Sequence, residues 1–161
     1  MPPLLLFSVE DYMSIVNFDA RSFEKKLAGI HPTEQFDEAM AGGIVSMLQA
    51  YDAGARAGQK LLSVAILAAK AALEFNDSAD NRINYWQAVA RERKLTESEK
   101  DELAELGERF RDDAAVSAAC SALIGERRNA RLALNRMDPK SRSLFESWPI
   151  ARFLKCPDEE L

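Results

Sequence analysis

The chain has 161 residues, enough for one domain with a real core, or for a domain with a small appendage. Its composition, 47% hydrophobic and 29% charged, is that of a globular protein and argues against extended disorder. A net charge of −5 excludes whole-surface attraction to nucleic acid or to an anionic membrane and leaves only local basic patches for such contacts.

Helix signals run the length of the chain. The apolar run Leu4-Leu5-Leu6-Phe7 lacks a basic lead-in and is followed by Glu10 and Asp11, so it is a poor signal peptide. Ser8 is expected to cap a first helix, with Phe7 and Tyr12 as a hydrophobic staple. Asp19 is expected to cap a short second helix over 20–28 that Gly29 ends. Residues 1–30 are thus candidates for an N-terminal appendage.

His31-Pro32-Thr33 opens the longest pattern, 34–75, which contains no proline and almost no strand-forming run. One helix of that length would span roughly 60 Å, long for a domain of this size. Gly42-Gly43, or the pair Gly54 and Gly58, are the expected kinks or breaks. Small residues crowd this stretch (Ala39, Gly43, Ala50, Gly54, Gly58, Ala65, Ala68, Ala69, Ala72), which suits a central helix packed closely inside the monomer. The alternative is a homodimer seam through a helix carrying Gly54 and Gly58. The GxxxG spacing is specific in membranes, but Asp52, Arg56 and Lys60 surround it here. The most apolar segment, 61–73, is interrupted by Lys70 and too short to span a bilayer, so a membrane role is not expected.

Asn76-Asp77-Ser78 reads as a turn and a new cap, followed by a helix over 79–93 carrying Ile83, Tyr85, Trp86 and Val89. Thr96 with Glu99 forms a capping box. The pattern then continues to about Met137, with Leu103, Leu106 and Phe110 at helical spacing and Gly107, Asp112-Asp113 or Gly125 as possible interruptions. Asp138-Pro139 is a cap followed by proline at the first helical position. The last helix holds Leu144, Phe145 and Trp148, Pro149 ends or kinks it, and 155–161 is expected to be a frayed tail. Aromatics at these spacings, Tyr85, Trp86, Phe110, Phe145, Trp148 and Phe153, are expected in the core, with Trp148, just before Pro149, the one expected to be partly exposed. The fold class is therefore all-α: one domain over 1–161, a compact bundle of five to seven helices with at least two long ones antiparallel.

Catalytic signatures are missing. There is no GxSxG, Walker loop, HExxH or GxGxxG. The single histidine, His31, precedes a proline at a helix start and reads as a capping or surface residue. Scattered carboxylates could still catalyse without leaving a motif. Cys120 and Cys156 are far apart and form neither a disulfide framework nor a zinc signature, which fits free thiols in a reducing, cytoplasmic setting. No cofactor or metal is expected: a di-metal bundle wants Glu-x-x-His pairs, and a calcium loop wants alternating Asp/Asn and a turn glycine.

Charge is segregated along the second half. Residues 97–113 carry eight acids against three bases, and 127–142 carry six bases against one acid. Glu102, Glu105 and Glu108 nearly line up on one helix face, with Asp112 beyond them; this acidic face could dock a basic partner or mimic nucleic-acid phosphate. At about 100° per residue, Arg127, Arg128, Arg131 and Asn135 share one arc, opposite Leu123, Ala130, Ala133, Leu134 and Met137. These arginines could dock phosphates or an acidic partner. Acids near a helix N-terminus and bases near its C-terminus would also suit the helix dipole. Trp148 with Arg152 has the makings of an interface anchor pair.

The function expected from these features is a non-enzymatic protein–protein interaction module, an inhibitor, immunity factor or regulator that binds a macromolecular partner through charged helical faces. The alternative is a nucleic-acid-binding regulator using the 127–136 face, although Asn129 and Asn135 are its only residues suited to reading bases.

Overall fold

The computed structural model describes residues 34–155, and of 34–37 and 39 the backbone alone. The expected helices capped by Ser8 and Asp19, the 1–30 appendage, His31, Thr33, Cys156 and the tail beyond Lys155 lie outside the described residues. Among the described residues the fold is all-α, without a strand. Seven α-helices are present, α1 (Glu34–Asp52), α2 (Gly58–Phe75), α3 (Ala79–Glu92), α4 (Glu97–Arg109), α5 (Ala114–Leu123), α6 (Arg127–Leu134) and α7 (Pro139–Ser147), followed by a 3-10 helix (Pro149–Leu154). No helix among them is long and apolar enough to cross a membrane. The chain divides into two compact units between Glu92 and Arg93.

The first unit is built on α1 and α2, which pack against each other, with α3 packed on both. Met40, Ile44, Met47 and Leu48 recur at helical spacing and are buried, as are Leu61, Leu62, Ala65, Ala68, Ala69 and Ala72 of α2. The alanine run is the close-packed face of α2, since side chains this small let a neighbouring backbone approach. The long pattern breaks at Gly54, not at Gly42-Gly43. Gly54 has φ +78°, a left-handed conformation that closes the turn after α1. Gly54 and Gly58 therefore do not share a helical face: the first lies in the turn and the second starts α2. This corrects the expectation of one helix carrying both Gly54 and Gly58. The turn into α3 is secured twice. Ser78 Oγ accepts from Asn81 N–H, and the buried Asn81 amide donates to the carbonyls of Ala72 (3.3 Å) and Asn76 (2.9 Å), satisfying acceptors at the end of α2.

In the second unit α5 is the central element, packed against α4, α6 and the 3-10 helix. Val116, Ala118, Ala119, Cys120, Ala122 and Leu123 are all buried, so α5 is covered nearly all round. The capping box forms as expected: Thr96 accepts from Glu99 N–H, and the Glu99 carboxylate accepts from Thr96 N–H at 2.7 Å. The expected pattern over 97–137 is three helices. Asp113 caps α5 through the N–H groups of Ala115 and Val116, and Gly125, at φ +86°, turns the chain into α6. Gly107 stays inside α4. Asp138 accepts from Ser141 N–H and Pro139 opens α7, as expected. Phe145 is buried and Trp148 is 41% exposed, as expected, but Phe110 is 37% exposed, which corrects its expected place in the core. Phe110 and Trp148 are both helix C-caps, where the backbone leaves the helical path and carries the ring off the buried line.

Candidate functional site

The acidic and basic segments lie on different helices. Glu102, Glu105 and Glu108 are exposed on α4, and Asp112, also exposed, sits in the turn that follows. Much of this charge is locally used. Glu97 pairs with Lys100 at 3.0 Å, Glu99 with Arg93 at 2.6 Å, and Glu108 with Arg111 at 3.4 Å. Two guanidinium donors and the Thr96 N–H hold the Glu99 carboxyl well down, at about 2 against an ordinary 4.5. The helix dipole favours acids in the first turn of α4. Of the expected face itself, Glu108 is ion-paired and Glu102, Glu105 and Asp112 are exposed to solvent.

The basic segment is different. Arg127, Arg128, Arg131, Leu132 and Asn135 line one open groove of about 300 Å³ along α6. The three arginines expected on one arc are thus brought together, and Asn135 with them. Leu132 was not among the expected residues. It is 55% exposed and sits within the same arc: at 100° per residue Arg127, Arg131, Asn135, Arg128 and Leu132 follow in angular order over about 140°. The opposite arc, Ala130, Ala133 and Leu134, is buried and fixes the orientation of the helix. An apolar residue on the polar arc of the wheel was the signal that could have found Leu132.

None of the three arginines has an acid partner among the described residues. Arg127 Nε donates to the Lys155 backbone oxygen at 3.1 Å. Local acids are otherwise engaged: Glu126 accepts from Asn129 at 2.7 Å, Asp138 from Ser141, and Glu146 from Arg142 at 3.0 Å. Arg136, part of the wider basic segment, donates to the Arg111 backbone oxygen at 2.8 Å.

The dipole explanation suits Arg131, in the last turn of α6, but fails for Arg127 and Arg128. Arg127 and Arg128 occupy the first two positions of α6, the positive end of the helix, and Glu126 at the N-cap makes no side-chain capping bond. Cations there are disfavoured rather than favoured. Their placement weakens α6 and is not accounted for by helix stability.

Trp148 lies half-exposed at the C-cap of α7 with its ring 6.0 Å from that of the buried Phe145, and Arg152 is exposed on the 3-10 helix. Elsewhere the chemistry is quiet. Among the described residues no group of three His, Cys, Asp or Glu comes together to hold a metal. Cys120 is a free, buried thiol whose pKa burial raises to about 12, too high for a nucleophile at neutral pH. Comparison with protein-family models, with curated proteins and with solved structures gives no match.

Proposed function

We propose that this chain is a non-enzymatic protein-interaction module, of the inhibitor, immunity-factor or regulator kind, that docks an acidic segment of a partner protein in the α6 groove. The observation that carries the reading is the set of three arginines lining one groove with no acid paired to them among the described residues. Arg guanidinium groups bind carboxylates in paired N–H···O bonds, and Leu132 at the edge of the arc offers an apolar contact that an acidic peptide with an aliphatic side chain would fill. A free buried thiol fits a reducing, cytoplasmic setting.

A protein partner is favoured over nucleic acid by the asparagines. Reading a base edge with Asn uses both ends of the amide. Asn129 is bonded to Glu126, and Asn135 Oδ1 accepts from Arg142 at 2.8 Å, so neither presents a complete amide. The acids of α4 also oppose a long polyanion.

The test compares two probes of similar charge, a short peptide of repeated Glu-Glu-Leu and a single-stranded oligonucleotide, on the wild type and on the R128E/R131E variant. The peptide should bind the wild type and not the variant. Binding of the oligonucleotide alone would transfer the groove to the nucleic-acid reading, and peptide binding that survives charge reversal would remove the groove from the function.

A further inference from the structure

The acidic and basic faces of the second unit share one spacing. Asp101, Glu102 and Glu105 on α4 stand at positions i, i+1 and i+4, and Arg127, Arg128 and Arg131 on α6 stand at the same three. On each helix the triplet covers about 100° of arc and about 6 Å of rise. The three acids are exposed and make no ion pair among the described residues, whereas Glu97, Glu99 and Glu108 of the same helix pair with Lys100, Arg93 and Arg111. Within one copy α4 and α6 each pack against α5, and among the described residues no ion pair joins the two faces. Two right-handed helices laid face to face bring such triplets together in one sense only. If they run parallel, the i+1 residues fall on opposite sides of the contact. If they run antiparallel, these residues fall on the same side, about 3 Å apart along the axis. The antiparallel register sets Asp101 against Arg131, Glu105 against Arg127 and Glu102 against Arg128. Arg109, the one base on this arc of α4, then lies past the N-terminal end of α6.

We propose that the acidic segment received by the groove is α4 of a second copy of this chain, held antiparallel to α6 by the pairs Asp101–Arg131, Glu102–Arg128 and Glu105–Arg127. The inference rests on the reading of the groove as a site for an acidic segment, and it names the occupant. It also answers the placement of Arg127 and Arg128 at the positive end of α6. Glu105 and Glu102 bring negative charge to that end, and the negative, C-terminal half of α4 lies over it. The acidic face and the groove are different surfaces, so the contact is heterologous. Each contact leaves a groove open on one copy and an acidic face open on the other, and association continues unless it closes on itself. Exposed ion pairs are individually weak and screened by salt, so the contact is salt-sensitive. An acidic partner protein competes with self-association for the same arginines.

The test is a charge swap on the full chain, read by sedimentation equilibrium. At low salt the wild type should gain mass above the 17.9 kDa of one chain as its concentration rises. It should return to that mass in about 1 M NaCl, where the Debye length is about 3 Å. The variants D101R/E102R and R128E/R131E should each associate about tenfold more weakly or worse, because two attractive pairs become repulsive. Mixing the two variants, or joining all four substitutions in one chain, should restore association, since every reversed acid then meets a reversed arginine. Association that survives either reversal would overturn the proposal, because another surface would be joining the copies. Loss that the mixture does not rescue overturns it as well. A wild type that keeps the mass of one chain throughout also sinks it; binding of the Glu-Glu-Leu peptide by that chain leaves the docking function standing. Rescue in the mixture, with no peptide bound by wild type kept dilute enough to be monomeric, establishes the second copy as occupant and sinks the reading of a linear acidic segment as ligand.

Discussion

Arg91 holds Asp52 through two parallel hydrogen bonds, Nε to Oδ1 at 2.9 Å and Nη2 to Oδ2 at 2.8 Å, across 39 positions of sequence. Its third donor, Nη1, reaches the Gln87 carbonyl at 2.7 Å. Asp52 is the last residue of α1, where the helix dipole disfavours a negative charge, so the guanidinium both neutralises that end and fastens it to the last turns of α3. Arg91→Ala should lower stability by about 1–2 kcal/mol, the worth of charge-assisted bonds at a partly exposed site. Arg91→Lys should recover only part of the loss, because an ammonium cannot make the paired contact. Urea midpoints of the two variants check this; equal midpoints for Lys and wild type would show that charge alone is at work.

Two glycines of the same stretch should respond to alanine with opposite signs. Gly42 lies within α1 with open space where a Cβ would go, so Gly42→Ala should stabilise by about 0.5–1 kcal/mol. Gly54 also has open space, but its φ of +78° strains any side-chain-bearing residue, and Gly54→Ala should cost about 1–2 kcal/mol. Thermal melts of both variants read the difference directly.

Gly107 is the contact point between α4 and α5. A Cβ there would stand 3.2 Å from Cys120 Cβ, an atom fixed to the α5 backbone that no rotamer change can move away. Gly107→Ala should therefore destabilise by about 1–3 kcal/mol despite the better helix propensity of alanine. Adding Cys120→Ala should give no rescue, because the clashing atom remains. The Cys120 thiol itself, buried and raised to about 12, should resist thiol reagents at neutral pH in the native protein and react on unfolding.

Arg128→Glu should separate stability from binding. The substitution puts an acid at the second position of α6, where the helix dipole favours it, and removes a cation that no acid among the described residues pairs with. Stability should be unchanged or higher by about 0.3–1 kcal/mol, while binding of the acidic peptide falls. A variant that loses binding and stability together would show the arginine to be structural.

Acid should loosen the second unit through Glu99. Its carboxyl sits at about 2 in the folded chain against an ordinary 4.5, held by Arg93 and then by the Thr96 N–H. A group that binds its proton more weakly when folded stabilises fully above about pH 4.5, and that contribution drains away as the pH falls towards 2. Asp138, also lowered, by Ser141, acts in the same direction. Glu99→Gln should flatten the acid limb of a stability–pH curve between those values; a limb of unchanged steepness would assign the acid sensitivity to other carboxylates.

The parts legible in the sequence were those decided within a turn or two of chain. Thr96 with Glu99, Asp138 before Pro139 and the Asn76-Asp77-Ser78 turn are side-chain-to-backbone bonds over two to five positions, and each formed where its residues stood. The arc of Arg127, Arg128, Arg131 and Asn135 was legible because the angular step of a helix does not depend on its surroundings. The choice between Gly42 and Gly54 as the break was not legible: the buried residues Met40, Ile44 and Met47 keep helical spacing across Gly42, and only packing against α2 selects that register. Splitting 97–137 into three helices changed the meaning of the charge. On one long helix the arginines would have lain near a C-terminus and needed no further account; on α6 Arg127 and Arg128 begin a helix. Arg91 with Asp52 and Arg127 with Lys155 join positions far apart in sequence, and no local pattern announces either bond.

The bond from Arg142 to Asn135 Oδ1 has a consequence of its own. It occupies one lone pair of the one side-chain oxygen among the residues that line the groove. The charged side-chain groups of that lining are all donors. Salt screens charge, but it does not change the sense of a hydrogen bond. As a docking site the groove would sort what approaches it by hydrogen-bond polarity as well as by charge, favouring carboxylates over ammonium groups even where ionic strength has flattened the field around them.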